Sequence, residues 1–319
     1  MTSSLRRFAP LLALALLLVV PFLATDSYTR HLFIIAFIYA IVAANWNLSL
    51  GYCGVFNFGH LTFFGVGVYT AAIAAKTFGI TPWLAIPLGG ITAAGAAFLI
   101  AAPVARLKGI YVVLVTFAVS QLAMQLVLSQ SQITGGGEGM VRIPFLQLGD
   151  YSFIRDFKFG YYYVALGLLV LSTLFLRFVV QSPFGKALLA VRDAQDYSTA
   201  RGISVSRQRI LVLVLSAIFT GIAGGFYAIY LRVASPEVFG FGTMSLVLSM
   251  VLLGGVGTLY GPIAAALALT FLTEALAGIQ GFEEARFIVV AVVMVLILRL
   301  APGGLVSLLD RLRPSRPAS

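Results

Sequence analysis

The chain has 319 residues, 60% of them hydrophobic and only 10% charged, with a formal net charge of +10. Apolar runs of about 20 residues recur along it, so a soluble fold is excluded and an all-α polytopic membrane protein is implied, because backbone groups in hydrocarbon must bond within their own segment. Regularly alternating strands of the barrel type are not read, and the positive charges fall between apolar runs as orientation signals do, which excludes nucleic acid as a partner.

Arg6-Arg7 and the apolar run from Phe8 to Ala24 have the form of a signal peptide, but no A-x-A cleavage site follows, so a retained first span is expected. Hydropathy predicts ten spans: near 8–24, 31–50, 55–75, 83–105, 110–130, 161–180, 209–231, 243–259, 262–280 and 286–306. They form one transmembrane domain, 1–319. Residues 1–30 supply an N-terminal helix, 31–180 and 210–319 two halves, the second with a basic tail, and 182–209 a loop between them. Gly51, Gly54, Gly59, Gly65 and Gly67 crowd the third span, and Gly254, Gly255, Gly257 and Gly261 end the eighth. Both are therefore candidates for broken or re-entrant helices, which membranes tolerate where they line a cavity or pack against protein.

Neutral polar residues punctuate the spans: Asn47, Asn57, His60, Thr62, Thr116, Gln121 and Gln125. They either line a solute path or hydrogen-bond between helices, and spacing alone leaves both readings open. Gly221-xxx-Gly225 and Gly257-xxx-Gly261 predict close helix packing. Cys53 is the single cysteine, and His31 and His60 have no carboxylate at ligand spacing, so no disulfide and no metal centre are expected.

Thr134-Gly135-Gly136-Gly137-Glu138-Gly139 is a glycine-rich connector without the Lys-Ser or Lys-Thr of a phosphate loop, and Gly255-x-Gly257 lacks the third glycine of a dinucleotide fingerprint. The chain shows no catalytic constellation, and Glu274 is the clearest ionisable group within a span, near its outer end, so ion-coupled carrier chemistry has little to work with.

The stretch from Ser182 to Arg209 reads as one short helix. Ser182 caps it, Pro183 occupies the first helical position and Gly202 stops it. On a 3.6-residue wheel Phe184, Ala187, Leu188, Val191 and Ala194 share one face, opposite Lys186, Asp193 and Tyr197. Such a helix either docks in a partner's groove or lies on the lipid surface. The side with both termini and this loop collects fourteen of the 21 Lys and Arg residues, which puts it in the cytoplasm by the positive-inside bias.

Four regions together resemble the branched-chain amino-acid permease family of ATP-binding-cassette importers. They are Asn47-Leu48-Ser49-Leu50-Gly51-Tyr52 through Phe58-Gly59-His60 to Phe64-Gly65-Val66-Gly67-Val68-Tyr69; Gly109-Ile110-Tyr111 with Thr116; Thr134-Gly135-Gly136 with Gly139; and Ser182-Pro183-Phe184-Gly185-Lys186-Ala187-Leu188 with Arg192, Gly202-Ile203, Ser216-Ala217 and Ala223-Gly224. Gly254-Gly255-x-Gly257-Thr258 and Gly261-Pro262 extend the match, which covers about 45 to 275. Where family members often carry Glu-Asn-Glu-like residues after the arginine, this chain has Asp193-Ala194-Gln195-Asp196.

The resemblance implies that Ser182 to Gly202 is a cytoplasmic coupling helix resting in an ATPase cleft, with Ser182, Pro183, Phe184, Gly185, Lys186, Leu188, Val191, Arg192, Asp193 and Gly202 as its elements. It further implies two ATPase subunits that use ATP and Mg, a second permease, and a periplasmic or extracellular solute-binding protein. The lipid environment would be a bacterial inner membrane and the cargo Leu, Ile or Val. This chain would bind no cofactor. A urea or short-amide permease fits the same pattern, and a stand-alone secondary carrier or channel is the rival of another class. On the coupling reading Leu188→Asp is expected to abolish ATPase association while leaving expression intact.

Overall fold

A computed structural model describes residues 3–23, 26–148, 151–153 and 158–277, with the further positions 292 and 299. Apart from those two positions the tenth predicted span, the end of the ninth and the basic tail lie outside the described residues.

The described chain is almost entirely helical: α1 (Ser3–Leu23), α2 (Ser27–Asn47), α3 (His60–Lys76), α4 (Pro82–Val104), α5 (Ile110–Ser129), the single turn α6 (Ser131–Thr134), α7 (Phe159–Gln181), α8 (Pro183–Asp193), α9 (Gln195–Ala200), α10 (Val205–Leu231), α11 (Phe241–Gly254) and α12 (Gly261–Ala277). Among the described residues five stretches are long and apolar enough to cross a membrane: Ser27–Tyr52, Pro82–Val104, Ile110–Ser129, Phe159–Gln181 and Val205–Leu231. The chain is thus a polytopic helical membrane protein.

Helix α2 forms the axis. Apolar on every side, it buries Ile34, Phe37, Ile38, Ile41 and Trp46 completely or to within 1%, as a helix hydrophobic all round must. Around it pack α7, α10, α11 and α12, while α3, α4 and α10 form a second tight group. That group meets at glycines: a Cβ on Gly67 would overlap the Gly221 carbonyl, and Gly89 approaches both, its own Cβ position lying 3.0 Å and 3.1 Å from the Gly67 and Gly221 oxygens.

The two ends of the bundle differ. At one, α8 and α9 lie beside the α4–α5 turn, tied there by the Arg209 guanidinium, which donates from Nη1 to the Leu107 carbonyl at 2.8 Å and from Nη2 to Gln195 Oε1 at 3.2 Å. At the other, strand β1 (Met140–Val141), from the glycine-rich connector, pairs antiparallel with β4 (Val233–Ala234), and Lys76 Nζ donates to the Val141 carbonyl at 2.8 Å. A second hairpin, β2 (Gln147–Leu148) with β3 (Tyr151–Ser152), completes that end. The connector is therefore pinned into structure there.

Two expectations about broken helices are refined. The third span does not begin at 55: α2 ends in a π-helical turn, Leu48–Tyr52, the chain loops through Cys53–Gly59, and α3 starts only at His60. The eighth is short, of 14 residues, where a straight crossing takes about 20, and the next helix begins at Gly261. Gly255 and Gly257 turn the chain between them at φ of 101° and 81°, a region that disfavours side-chain-bearing residues. Glu274, on α12, accepts a hydrogen bond from the Tyr28 hydroxyl of α2 and so pairs two helices.

Candidate functional site, the coupling segment and the polar residues of the spans

The start of the segment forms as its sequence dictates. Ser182 is extended (φ −72°, ψ 165°), its hydroxyl accepts from the Gly185 N–H at 3.3 Å, and Pro183 fills the first helical position. Gly185 is required by space as well, since a Cβ there would run into the Val180 carbonyl. The stop is also as expected, with Gly202 at φ +82°.

Between these ends the segment is two helices, not one. Ala194 leaves the helical region (φ −151°, ψ 78°), so α8 closes at Asp193 and α9 reopens at Gln195. The wheel therefore does not carry through Ala194, which is exposed.

The apolar face of α8 corrects a larger expectation. Leu188 is 0% and Val191 3% exposed, buried in a cluster with Leu48, Tyr52, Val104, Leu176, Val179, Val212 and Leu213 of the same chain. Phe184 is half-buried against the same cluster. These side chains hold α8 to its own bundle and are not the surface a separate protein grips. The physical reason is that an amphipathic helix buries its apolar side against whatever apolar surface is nearest, and here that is the bundle floor. The outward side carries Lys186, Arg192, Asp193, Asp196 and Tyr197. Arg201, one turn from Tyr197, stacks on its ring at 5.1 Å and donates to its hydroxyl at 2.6 Å.

The neutral polar residues divide in two. Asn47, Asn57, His60, Thr62 and Thr116 are all 2% exposed or less. The Asn47 amide donates to the Thr258 carbonyl at 2.7 Å and accepts from the Gly257 N–H at 2.9 Å. His60 Nε2 lies 3.0 Å from the Thr220 hydroxyl of α10, with its ring stacked on Trp46 at 5.4 Å. Asn57 accepts from the Gly59 N–H at 2.9 Å, and the Thr116 hydroxyl accepts from the Phe58 N–H at 3.0 Å. These contacts lock the Cys53–Gly59 loop against α5 and α10, and all five lie buried within the bundle. Among the described residues His60 Nδ1, Asn57 Nδ2 and Thr62 Oγ1 have no hydrogen-bond partner.

Gln121 and Gln125 are different. Both are exposed on α5, the least covered of the long helices, and Tyr111, Leu114 and Ala118 are exposed at spacings that continue the same stripe. Two primary amides facing hydrocarbon are costly.

Of the packing glycines, Gly221 and Gly261 sit at true close approaches: Gly221 against Gly89 and Ala93, Gly261 against the Gly254 carbonyl. Gly225 is looser, its Cβ position 3.1 Å from the Ile86 oxygen. Gly257 is in the α11–α12 loop, so Gly257-xxx-Gly261 is not a helical pair, and its glycine serves the turn instead. The sequence reading missed Gly67 and Gly224, which touch the facing backbones of α10 and α3. It also counted Arg209 only as a positive charge.

Near α8 a concavity of about 270 Å³ opens between Gly54–Phe56, the α4–α5 turn and Arg209. Among the described residues no group of His, Cys, Asp and Glu side chains could hold a metal ion.

A family model described as branched-chain amino acid transport system / permease component matches residues 28–298. The chain is 30% identical to the high-affinity branched-chain amino acid transport system permease protein LivM of Escherichia coli (strain K12), over 95% of this chain and 76% of the relative. It is 31% identical to LivM of Salmonella typhimurium, over 84% and 67%, and 23% identical to LivH of Escherichia coli (strain K12), over 84% and 90%. No solved structure matches. The helices from α2 to α12, both broken helices and the capped loop fall within the matched length apart from the Ser27 start of α2, and the chain belongs to the branched-chain amino-acid transport permease family.

Proposed function

We propose that this chain is the membrane conduit of an ATP-driven importer for leucine, isoleucine and valine, and that α8 and α9 form the element through which separate ATPase subunits move it. The observation that carries this reading is the seating of α8. Its apolar side is embedded in the bundle through Leu188 and Val191 while Lys186 and Asp193, and Tyr197 of α9, stay in solvent. A protein that grips the polar side thereby moves the bundle floor, with no flexible linker to absorb the displacement.

On this reading ATP and Mg belong to the two ATPase subunits and the α8 end faces the cytoplasm, as the bias of Lys and Arg supports. A solute-binding protein meets the opposite end, where the connector is pinned by β1–β4 pairing. The exposed stripe of α5 faces a second, related permease, and the amides of Gln121 and Gln125 serve the passage between them. Each partner acts by binding one of two conformations more tightly than the other.

Reconstitution tests it. Proteoliposomes holding this chain with its second permease, the ATPases and the binding protein should accumulate leucine only with ATP inside the reaction. Uptake by this chain alone without ATP would show a stand-alone carrier instead. Gln121→Leu with Gln125→Leu should lower uptake about tenfold, the equivalent of about 1.4 kcal/mol, with the complex still assembled on a sizing column. Wild-type uptake by that double variant would remove the two amides from the passage.

A further inference from the structure

Arg192 does more than carry charge on the outward side of α8. Its Nη1 donates to the Gly51 carbonyl at 2.7 Å, a bond that joins residues 141 positions apart. That carbonyl lies in the π-helical turn Leu48–Tyr52, at the end of the central helix, where backbone oxygens are left without intrahelical partners. The guanidinium also pairs with Asp193 through Nε at 2.8 Å, and the side chain remains 35% exposed.

The slot that admits this side chain is made of glycines. A Cβ on Gly54 would lie 3.1 Å from Arg192 Cγ, and one on Gly257 would lie 3.1 Å from Nη1. A Cβ on Gly51 would run into both Asn47 Oδ1 and the Gly257 nitrogen, so no side chain fits there. Gly51 and Gly54 belong to the break after α2, and Gly257 to the break between α11 and α12. Asn47 then clamps the two breaks together through its pair of bonds to Gly257 and Thr258. Two sets of hydrogen bonds, Arg192 to Gly51 and Asn47 to Gly257 and Thr258, thus meet at the end of α2 and link α8 to the α11–α12 loop through that backbone.

We propose that Arg192 and Asn47 are the positioning residues that transmit movement of α8 to both broken helices, so that the outward pull of the ATPases is converted into displacement of the α2 end and the α11–α12 loop together. The burial of Leu188 and Val191 also holds α8 to the bundle, but that packing is non-directional, whereas the guanidinium tie fixes which backbone moves. The proposal rests on the reading of α8 as the element the ATPases grip, and neither residue touches solute in it.

The test uses the complete transporter in proteoliposomes, with ATP hydrolysis and leucine uptake measured on the same vesicles. Arg192→Gln should raise the ATP consumed per leucine about tenfold with the ATPases still bound, and Arg192→Lys should recover most of the wild-type ratio. Asn47→Ala, whose side chain is buried away from any ATPase, should give the same uncoupling, and the double variant should be no worse than either single change. Where Asn47→Ala lowers Tm, Asn47→Leu serves in its place, since it keeps the volume and removes both the acceptor for Gly257 and the donor to Thr258 without adding a charge.

Wild-type ratios in both single variants overturn the proposal. So does loss of ATPase association in Arg192→Gln with normal coupling in Asn47→Ala, which would make Arg192 a docking contact, and so does an additive double variant. A cross-link from Cys placed at Lys186 to the ATPase separates the two levels of the argument: its absence in the otherwise wild-type complex refutes the gripping of α8 itself, and its presence alongside unchanged ratios refutes only the transmission.

Discussion

Leu188→Asp should yield little folded protein, with a thermal midpoint well below wild type in detergent, instead of a stable chain that has lost its ATPase. Leu188 is fully buried among Leu48, Val104, Leu176, Val179 and Leu213. A carboxylate there either stays ionised without a partner or takes up a proton and still lacks hydrogen bonds, and the lost apolar packing adds to the penalty. Together these amount to about 4 kcal/mol, against a total stability of order 5–15 kcal/mol for ordinary domains. Lys186→Glu makes the contrast, because Lys186 is exposed on the outward side. Its effect on stability should stay within about 0.5 kcal/mol, while ATPase co-purification falls. Differential scanning fluorimetry of both variants, with pull-down of the ATPase, decides the matter. A Leu188→Asp chain of wild-type midpoint that merely fails to bind would restore the apolar face as the docking surface.

The same residue shows where sequence reasoning stops. Ser182, Pro183 and Gly202 set the ends of the segment 182–202 through backbone preferences that act within a few residues, and these are legible in the sequence. The wheel also found the apolar side of α8 correctly. It could not say whether that side meets a partner or the chain's own bundle, because burial against either satisfies the same periodicity. The break at Ala194 left no signal, since alanine favours helix and nothing nearby opposes it.

The polar residues make the point from the other direction. Asn47 and Gln121 are both uncharged amides within apolar helices, yet one is clamped to the Gly257 turn and the other is exposed. Helix α5 is apolar on every side, so no moment distinguishes its covered face from its open one. Only the neighbours, supplied by segments far away in the chain, sort the two classes. Arg192 belongs with these, because the slot of Gly51, Gly54 and Gly257 comes together only when α2 and α11 have both ended at the same level. The glycines themselves had marked both breaks.

Gly67→Ala should be among the most damaging single-methyl changes in the bundle, and Gly225→Ala close to neutral, although the small-residue motif in the sequence points to Gly225. At Gly67 the new methyl would overlap the Gly221 carbonyl, with the Gly221 Cα at 2.7 Å, so α3 and α10 must separate along backbone that no rotamer can relieve. Gly89 of α4 packs against both glycines, so the displacement passes to a third helix. Overpacking of this kind costs about 3 kcal/mol. At Gly225 the nearest atoms are the Ile86 oxygen at 3.1 Å and the Ala71 methyl at 3.2 Å, an approach that a shift of a few tenths of an ångström relieves. The residual crowding there is offset by the helix preference of alanine over glycine, about 0.5–1 kcal/mol. Gly225→Leu is another matter, since three further carbons cannot fit between Ile86 and Ala71, and poor assembly is expected of it. Thermal midpoints of the three variants in one detergent give the order Gly225→Ala above Gly225→Leu and Gly67→Ala. Were Gly67→Ala to melt with wild type, α3 and α10 could not be in backbone contact at that level.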